Sequence, residues 1–365
     1  MNDSHFMRKA LALAERGRGT TSPNPMVGAL VVDENGVIVG RGAHLIAGGP
    51  HAEVIALADA GPRARGATLY CTLEPCSHTG RTGPCAPLVG NAGLRRVVIA
   101  IEDPNPLVNG AGLRHLRERG IDTVVGVEAP AARRQNAVFL TNLTLGRPHV
   151  TLKAAVSLDG RLGAPGVRTR LTGPAANRRV HRQRAEVDAL GVGSETILTD
   201  DPALTPRGAF RGRPLTRVIF DRRLRTPPAA RVLSTVAAGP VIIVSSERAV
   251  SGFPERARDL AAAGARLLVL PENDDIGSAL RALKDAGIAS LVLEGGGALH
   301  RAALDAGVVD AVHVYITPGS LGTEGVEWIG EGRIAWAALR DRRATWLGED
   351  LLVEGAVETD VHGNH

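Results

Sequence analysis

The feature that most constrains this chain is a set of three short motifs in its first quarter: His51-Ala52-Glu53, Pro75-Cys76 and Pro84-Cys85. A fold that uses them must bring one imidazole and two thiols to a point. Nitrogen and sulfur donors suit Zn²⁺, and three protein ligands leave its fourth tetrahedral position open for water, as catalytic sites do. Water held there is acidified enough to supply hydroxide near neutral pH. Glu53, two residues past the histidine, is placed to carry that water's proton to a leaving amine. Taken singly these residues are ordinary, since buried thiols are common. Taken together and in this order they read as one site. Cys71 has no such company and reads as a small core residue inside a strand.

The scaffold expected around them is α/β. Short strands and helices alternate throughout, separated by Gly/Pro-rich connections. In the first half the pattern predicts helices over 5–16, 52–60, 85–92 and 112–119, and strands over 68–72, 97–101 and 122–127. A hairpin of 27–32 and 37–41 turns at Asn35-Gly36. A length of 365 residues suits two domains. Gly146 and Pro148 interrupt the pattern between a helical stretch and a new strand, which divides the chain into 1–146 and 147–365. The second half predicts strands over 150–155, 189–193, 217–220, 241–245, 266–270, 290–294 and 311–316, with helices over 178–186, 276–286 and 299–306. No G-x-G-x-x-G follows its first strand, so the Rossmann fingerprint is missing. Instead, the strand ending at Glu294 enters Gly295-Gly296-Gly297 and a helix, whose free N–H groups and positive dipole end suit a phosphate.

H-x-E followed by two P-C dipeptides is the order found in zinc-dependent deaminases. Here eight residues, Ser-His-Thr-Gly-Arg-Thr-Gly-Pro, separate Cys76 from Cys85, where cytidine and tRNA adenosine deaminases place two. The longer loop carries His78 and Arg81 beside the metal, good partners for a phosphate or sugar. With Asn24-Pro25-Met26-Val27-Gly28, Gly42-Ala43-His44, the stretch 74–82 and Asp103-Pro104-Asn105-Pro106, the chain resembles the bifunctional deaminase–reductases of riboflavin biosynthesis over nearly its whole length. Gly83 stands where that family usually has proline. The resemblance implies an N-terminal cytidine-deaminase-like α/β/α sandwich and a C-terminal dihydrofolate-reductase-like α/β domain. It implies zinc-dependent hydrolytic deamination of 2,5-diamino-6-(5-phosphoribosylamino)pyrimidin-4(3H)-one to 5-amino-6-(5-phosphoribosylamino)uracil, then reduction of the ribosyl group to ribityl with NADPH. Under it, His51, Cys76 and Cys85 hold one Zn²⁺ per chain, Glu53 is catalytic, and Asn24, His44, His78 and Arg81 contact the pyrimidine and ribose phosphate.

The second half matches the same family at 153–160, Arg184-Ala185-Glu186, 200–205 with Arg207, and Glu294-Gly295-Gly296. Carried over position by position, Lys153, Arg168, Arg184, Asp200, Leu204, Arg207 and Glu294 are substrate candidates. Val156, Arg170, Thr172, Thr196, Asp200, Ser245 and the run Gly295, Gly296, Gly297, Ala298, Leu299 and His300 are cofactor candidates. Arg184 and Arg207 can hold a phosphate by charge-assisted bonds. Lys153, Asp200 and Glu294 can position sugar hydroxyls and manage protons. A helix or turn cap is the lesser reading of Asp200-Asp201-Pro202, while Ser245-Ser246-Glu247-Arg248 reads equally as the receiver of the 2′-phosphate of NADPH or as a solvated loop. A departure occurs at 167–173, where the family commonly has serine in place of Arg168 and tryptophan in place of Arg170. Extra positive charge serves two anionic ligands, but the lost aromatic wall leaves open a monofunctional deaminase with a degenerate second domain.

Charge decides less. The formal net charge is +5, and only three of the 43 basic residues are lysines (Lys9, Lys153, Lys284). The arginines are scattered among acidic neighbours and form no basic stripe with interleaved aromatics, which counts against a nucleic-acid surface. That and the cysteine spacing count against a tRNA-editing deaminase, which stays open as the less favoured alternative. A zinc-stabilised binding module needs a fourth protein ligand, and none is evident. No apolar run approaches the roughly 18 residues of a membrane span, and the start lacks an export signal. The expectation is a cytoplasmic enzyme with reduced thiols, acting on phosphorylated pyrimidines and neither nucleic acid nor membranes. The resemblance adds a homo-oligomer joined through the reductase domain.

Overall fold

The computed structural model describes residues 2–77, 83–105, 109–330, 334 and 336–357. It resolves into two compact units, Met1–Leu145 and Gly146–His365.

The first unit contains α1 (Asp3–Ala14), β1 (Gly28–Val32), β2 (Ile38–Ala43), α2 (Ala52–Ala60), β3 (Thr68–Cys71), α3 (Cys85–Asn91), β4 (Arg96–Ile99), α4 (Ala111–Glu118), β5 (Asp122–Val125), α5 (Ala129–Gln135) and α6 (Ala137–Leu145). Its five-stranded sheet runs β2-β1-β3-β4-β5, antiparallel across β1 and parallel from β3 to β5. Two glycines show why helices cover both faces. A Cβ at Gly28 would lie 2.0 Å from the Ala10 carbonyl of α1, and one at Gly42 would lie 2.0 Å from the Ala52 carbonyl of α2. Gly28 pairs with Ala43 and Gly42 with Ala29, so successive side-chain positions alternate between the two helices. The result is an α/β/α sandwich. The hairpin turns as expected: Asp33 Oδ1 accepts the N–H groups of Asn35 and Val37, and Gly36 takes φ +81°.

The second unit contains β6 (His149–Ser157), α7 (Pro174–Glu186), β7 (Ala189–Gly193), α8 (Ser194–Asp200), β8 (Thr216–Phe220), α9 (Arg231–Ser234), β9 (Val241–Ser246), α10 (Glu247–Gly252), α11 (Pro254–Ala262), β10 (Ala265–Leu270), α12 (Ile276–Asp285), β11 (Ser290–Leu293), α13 (Gly297–Asp305), β12 (Ala311–Thr317), β13 (Arg340–Leu347) and β14 (Asp350–Ala356). Its nine strands run β10-β9-β8-β7-β11-β6-β12-β14-β13. All are parallel up to β12, and β14 and β13 close the sheet antiparallel. The strand order reverses around β7, β11 and β6, and ligands of open α/β sheets bind outside the carboxyl ends of strands at such a switch.

Several elements differ from the sequence expectation. α7 begins at Pro174, four residues early, because proline at the first turn starts a helix as readily as it ends one. Helices α8 to α11 are short and were hidden among Gly and Pro. β13 was missed because it is exposed along almost its whole length, with no alternation of apolar and polar residues for a period-two reading to find.

Candidate active sites

In the first unit, His51 is the extended residue before α2 and makes no side-chain cap, so its ring is left for other partners. Its Nδ1 lies 3.2 Å from Cys85 Sγ and 3.5 Å from Cys76 Sγ. Cys76 follows β3 in the loop, and Cys85 opens α3 with its N–H donating to Cys76 Sγ at 3.4 Å. All three donor atoms lie within 4.8 Å of one another. A tetrahedral Zn²⁺ with bonds of about 2.3 Å to sulfur and 2.0 Å to nitrogen spaces its donors by roughly 3.5–3.8 Å, so the donor set fits the ion in chemistry and in spacing. Bonds from the Cys85 thiol, the His51 ring and the Cys85 N–H outweigh burial and hold the Cys76 thiol down at about 4, ready to ligate as thiolate. Cys71 is fully buried in β3, and burial pushes its thiol up, which makes it the core residue it was expected to be.

Glu53 lies in the first turn of α2 and is 3% exposed. Burial raises its carboxyl to about 7. His44 stands edge-on to His51, with ring centroids 5.5 Å apart. Its Nδ1 is 3.0 Å from the Pro50 carbonyl and its Nε2 is 3.3 Å from Asn24 Nδ2. A carbonyl accepts and an amide NH₂ donates, so Nδ1 carries the proton and the ring is neutral. Burial lowers its pKa in the same sense. Asn24 and His44 are thus brought together beside the metal ligands. His78 and Arg81 lie outside the described residues. Glu74 had no assigned role in the sequence reading. It is buried and accepts the N–H groups of Asp103, Gly110 and Leu113 at 3.2, 3.1 and 3.2 Å, which pins the peptide before Cys76 to the start of α4.

In the second unit Lys153, Arg184 and Glu294 come together near the switch point. Arg184 on α7 meets Glu294, just past β11, fork to fork: Nε to Oε1 at 2.8 Å and Nη2 to Oε2 at 2.5 Å. Burial pushes the Glu294 carboxyl up, but Arg184 and Lys153 outweigh it and hold it at about 2. Lys153 on β6 sits 5.4 Å over the Tyr315 ring, and burial lowers its pKa against the pull of Glu294. The Arg184 guanidinium is paired with Glu294 and donates to the Thr205 carbonyl at 3.3 Å. Arg207, Arg168 and Arg170 are exposed cations. Asp200 ends α8, and its carboxyl is raised by burial and lowered by Arg168. Its neighbour Asp201 has the capping role: Oδ1 accepts the Arg231 N–H at 2.7 Å at the start of α9.

The glycine run fits a dinucleotide phosphate. A Cβ at Gly295 would lie 2.8 Å from Gly193 N, and one at Gly297 would lie 2.1 Å from the Trp328 carbonyl. Gly296 precedes α13 with φ +23° and no side chain caps the helix, so the N–H groups of Gly297, Ala298 and Leu299 face the loop as donors. Thr196 Oγ1 is 3.9 Å from where a Gly296 Cβ would sit. Val156 ends β6 in the core, and Leu204 is buried with φ +52°. Thr172 Oγ1 is bonded to Asn177 at 3.2 Å, tying it to the start of α7.

Two of the cofactor candidates have side chains engaged within the fold. His300 is 1% exposed, its Nδ1 accepts from Trp328 Nε1 at 2.8 Å, and its Nε2 faces the Leu293 carbonyl at 3.1 Å. Both ring nitrogens are committed to the core, so its side chain has nothing left for a cofactor. Ser245 is buried at the end of β9, and Ser246 spends its hydroxyl capping α10, so neither is presented to a 2′-phosphate. His181, overlooked in the sequence, lies one turn before Arg184 and faces Arg184, Arg207, Glu294 and Lys153. The i, i+3 spacing from Arg184 was the available signal.

Comparison with known proteins agrees with both halves. Residues 1–101 match the cytidine and deoxycytidylate deaminase zinc-binding region, and residues 148–353 match the RibD C-terminal domain. The chain is 40% identical over 358 residues to riboflavin biosynthesis protein RibD of Aquifex aeolicus, covering 96% of this chain and 97% of that one. It is 41% identical over 340 residues to RibD of Escherichia coli, covering 89% and 90%. Among solved structures, Acinetobacter baumannii RibD superposes with a TM-score of 0.84 at 34% identity, covering 98% and 99%. A deaminase/reductase from Thermotoga maritima, described as acting on diaminohydroxyphosphoribosylaminopyrimidine and 5-amino-6-(5-phosphoribosylamino)uracil, gives 0.82 at 30% identity over the same shares.

Proposed function

The chain belongs to the RibD family of riboflavin biosynthesis proteins, and from that membership we propose how its two sites divide the work. It is a bifunctional enzyme, a zinc-dependent deaminase and an NADPH-dependent reductase, acting on small phosphorylated pyrimidines. We assign deamination to residues 1–146 and reduction to residues 147–365. The observation that carries the first assignment is the convergence of His51, Cys76 and Cys85 within 4.8 Å beside a buried Glu53.

In the first reaction, water replaces the 2-amino group of the diaminopyrimidine, giving the uracil and ammonia. Zinc held by His51, Cys76 and Cys85 supplies the Lewis acidity that makes water nucleophilic at neutral pH. Glu53 takes a proton from that water at its carboxylate and returns it to the departing amine nitrogen. Asn24 and His44 orient the ring, His44 as a neutral imidazole locked by Pro50 and Asn24.

In the second reaction NADPH would supply the hydride, and the N–H groups of Gly297, Ala298 and Leu299, with Thr196 nearby, would hold its phosphates. Arg184 keeps Glu294 ionised and aimed, and Glu294, Lys153 and Asp200 hold the sugar hydroxyls and the proton that accompanies ring opening. Arg207 and Arg168 meet the phosphate. Arg168 and Arg170 replace residues common in the family without removing the Lys153–Glu294–Arg184 set, so nothing here favours a degenerate second unit. Nothing favours a tRNA substrate either.

NADPH and thiolate ligands both belong to a reducing compartment, and on that ground we place the enzyme in the cytoplasm. No helix among the described residues is long and apolar enough to cross a membrane. We also propose a homo-oligomer through the reductase unit, whose edge strand β13 leaves Trp346 70% exposed. Ammonia release from the diaminopyrimidine phosphate and NADPH oxidation with the deaminated product, measured separately, test the two activities, and light scattering tests the assembly. Absence of either activity in zinc-loaded protein would remove that half of the reading.

A further inference from the structure

Helix α7 grips one short loop at two points a single turn apart. His181 Nδ1 accepts the Arg207 N–H at 3.2 Å, and Arg184 Nη1 donates to the Thr205 carbonyl at 3.3 Å. Residues three apart on a helix share a face, so both grips act on the stretch 204–207. That stretch is in need of holding. Leu204 sits at φ +52°, an uncommon conformation for any residue with a Cβ. The fully buried Arg217 anchors its other side by donating to the Ala203 carbonyl at 3.2 Å. Arg207, at the end of the stretch, carries an exposed cation whose position depends on where its backbone is held.

We propose that His181 is a positioning residue of the reduction site: as an unprotonated acceptor it sets the stretch 204–207, and through it the Arg207 guanidinium, for the phosphate of the substrate. This rests on the reductase reading above. An imidazolium carries hydrogen on both nitrogens and cannot accept, so the grip exists only in the neutral ring. The surroundings favour that form. Burial, then Arg184 on the same helix and Arg207 in the gripped loop, then Lys153 on β6, lower the proton affinity of the ring, and Glu294 beyond β11 alone opposes them. The grip therefore holds at neutral pH and is lost as pH falls below the ordinary imidazole range.

The test follows NADPH oxidation with 5-amino-6-(5-phosphoribosylamino)uracil between pH 5 and 8, on full-length wild type, His181→Leu and His181→Asn. Asparagine places Oδ1 where Nδ1 was and does not titrate. His181→Leu should raise KM for the uracil about two- to tenfold at pH 8, the range of one hydrogen bond, with kcat within about twofold and KM for NADPH unchanged. His181→Asn should recover most of that affinity and hold it at low pH, where wild type loses it. The substrate phosphate titrates in this range too, but identically for all three proteins, so only the difference between them counts. Melting temperatures close to wild type separate positioning from folding. If His181→Leu keeps the wild-type KM and pH profile, the role of His181 is overturned while the reductase reading stands. If wild type itself oxidises no NADPH, the reading falls and the role falls with it.

Discussion

Arg184 and Glu294 form a nearly buried, two-bond ion pair that joins α7 to the loop after β11, with side chains 15% and 7% exposed. The same arginine reaches the Thr205 carbonyl, so one guanidinium fixes two walls of the reduction site. Removing one partner of such a pair strands a charge, which is why its worth shows in single variants more than in any sum of contacts.

Arg184→Met should therefore destabilise the second unit by about 3–5 kcal/mol and abolish NADPH oxidation. Arg184→Met/Glu294→Leu should regain part of the lost stability, since Lys153 still loses its counter-charge, and none of the activity. Glu294 is held at about 2 in the fold against an ordinary 4.5, so its contribution is complete above about pH 4.5 and is lost as pH falls toward 2. Thermal unfolding of the full chain read across pH checks both statements.

The metal and the proton carrier should separate cleanly. Cys76→Ser and Cys85→Ser should each lose zinc and deamination together, while Glu53→Gln should keep one zinc per chain and lose ammonia release by ~10²–10⁴-fold or more. The Glu53 variant should still reduce the uracil when it is supplied directly. Elemental analysis and the two assays on one preparation decide it. Near-wild-type ammonia release by Glu53→Gln would show that another group moves the proton.

His300 makes mild acid costly. Burial holds its pKa at about 4, whereas an unfolded histidine takes up its proton near 6.5. The unfolded state binds the extra proton first, so stability should fall as pH drops from 6.5 to 4. At about 1.4 kcal/mol per pKa unit the full loss is on the order of 3 kcal/mol. His313, also held at about 4 by burial, acts in the same window. His300→Gln should flatten part of this slope, seen as a smaller difference in melting temperature between pH 7 and pH 5.

Gly295→Ala should cut NADPH affinity at least about tenfold while leaving ammonia release intact, because the new methyl meets backbone at Gly193 and Val192, 2.8 Å away, and neither can step aside. Equilibrium binding of NADPH by fluorescence reads this directly. Unchanged affinity would mean that the glycine run is only a turn.

What could be read from the sequence was whatever a motif or a short period carries. The order His51, Glu53, Cys76, Cys85 names a chemistry because zinc accepts few donor sets, and the alternation of strands and helices names an α/β scaffold because each element shows its own period locally. The departures came wherever a side chain's role depends on a partner far along the chain. Nothing near Arg184 in sequence announces its pairing with Glu294, 110 residues away. His300 sits beside a glycine run that promises a cofactor, yet Trp328 and the Leu293 carbonyl consume both of its nitrogens. β13 left no signal because an exposed edge strand has no buried face to impose a pattern. The chain alone determined which atoms could do chemistry, since donor type and acidity belong to the residue. Only the tertiary structure decided which of them remain available, because hydrogen bonds and ion pairs are satisfied across space, and a polar group already paired in the core has no bond left for a ligand.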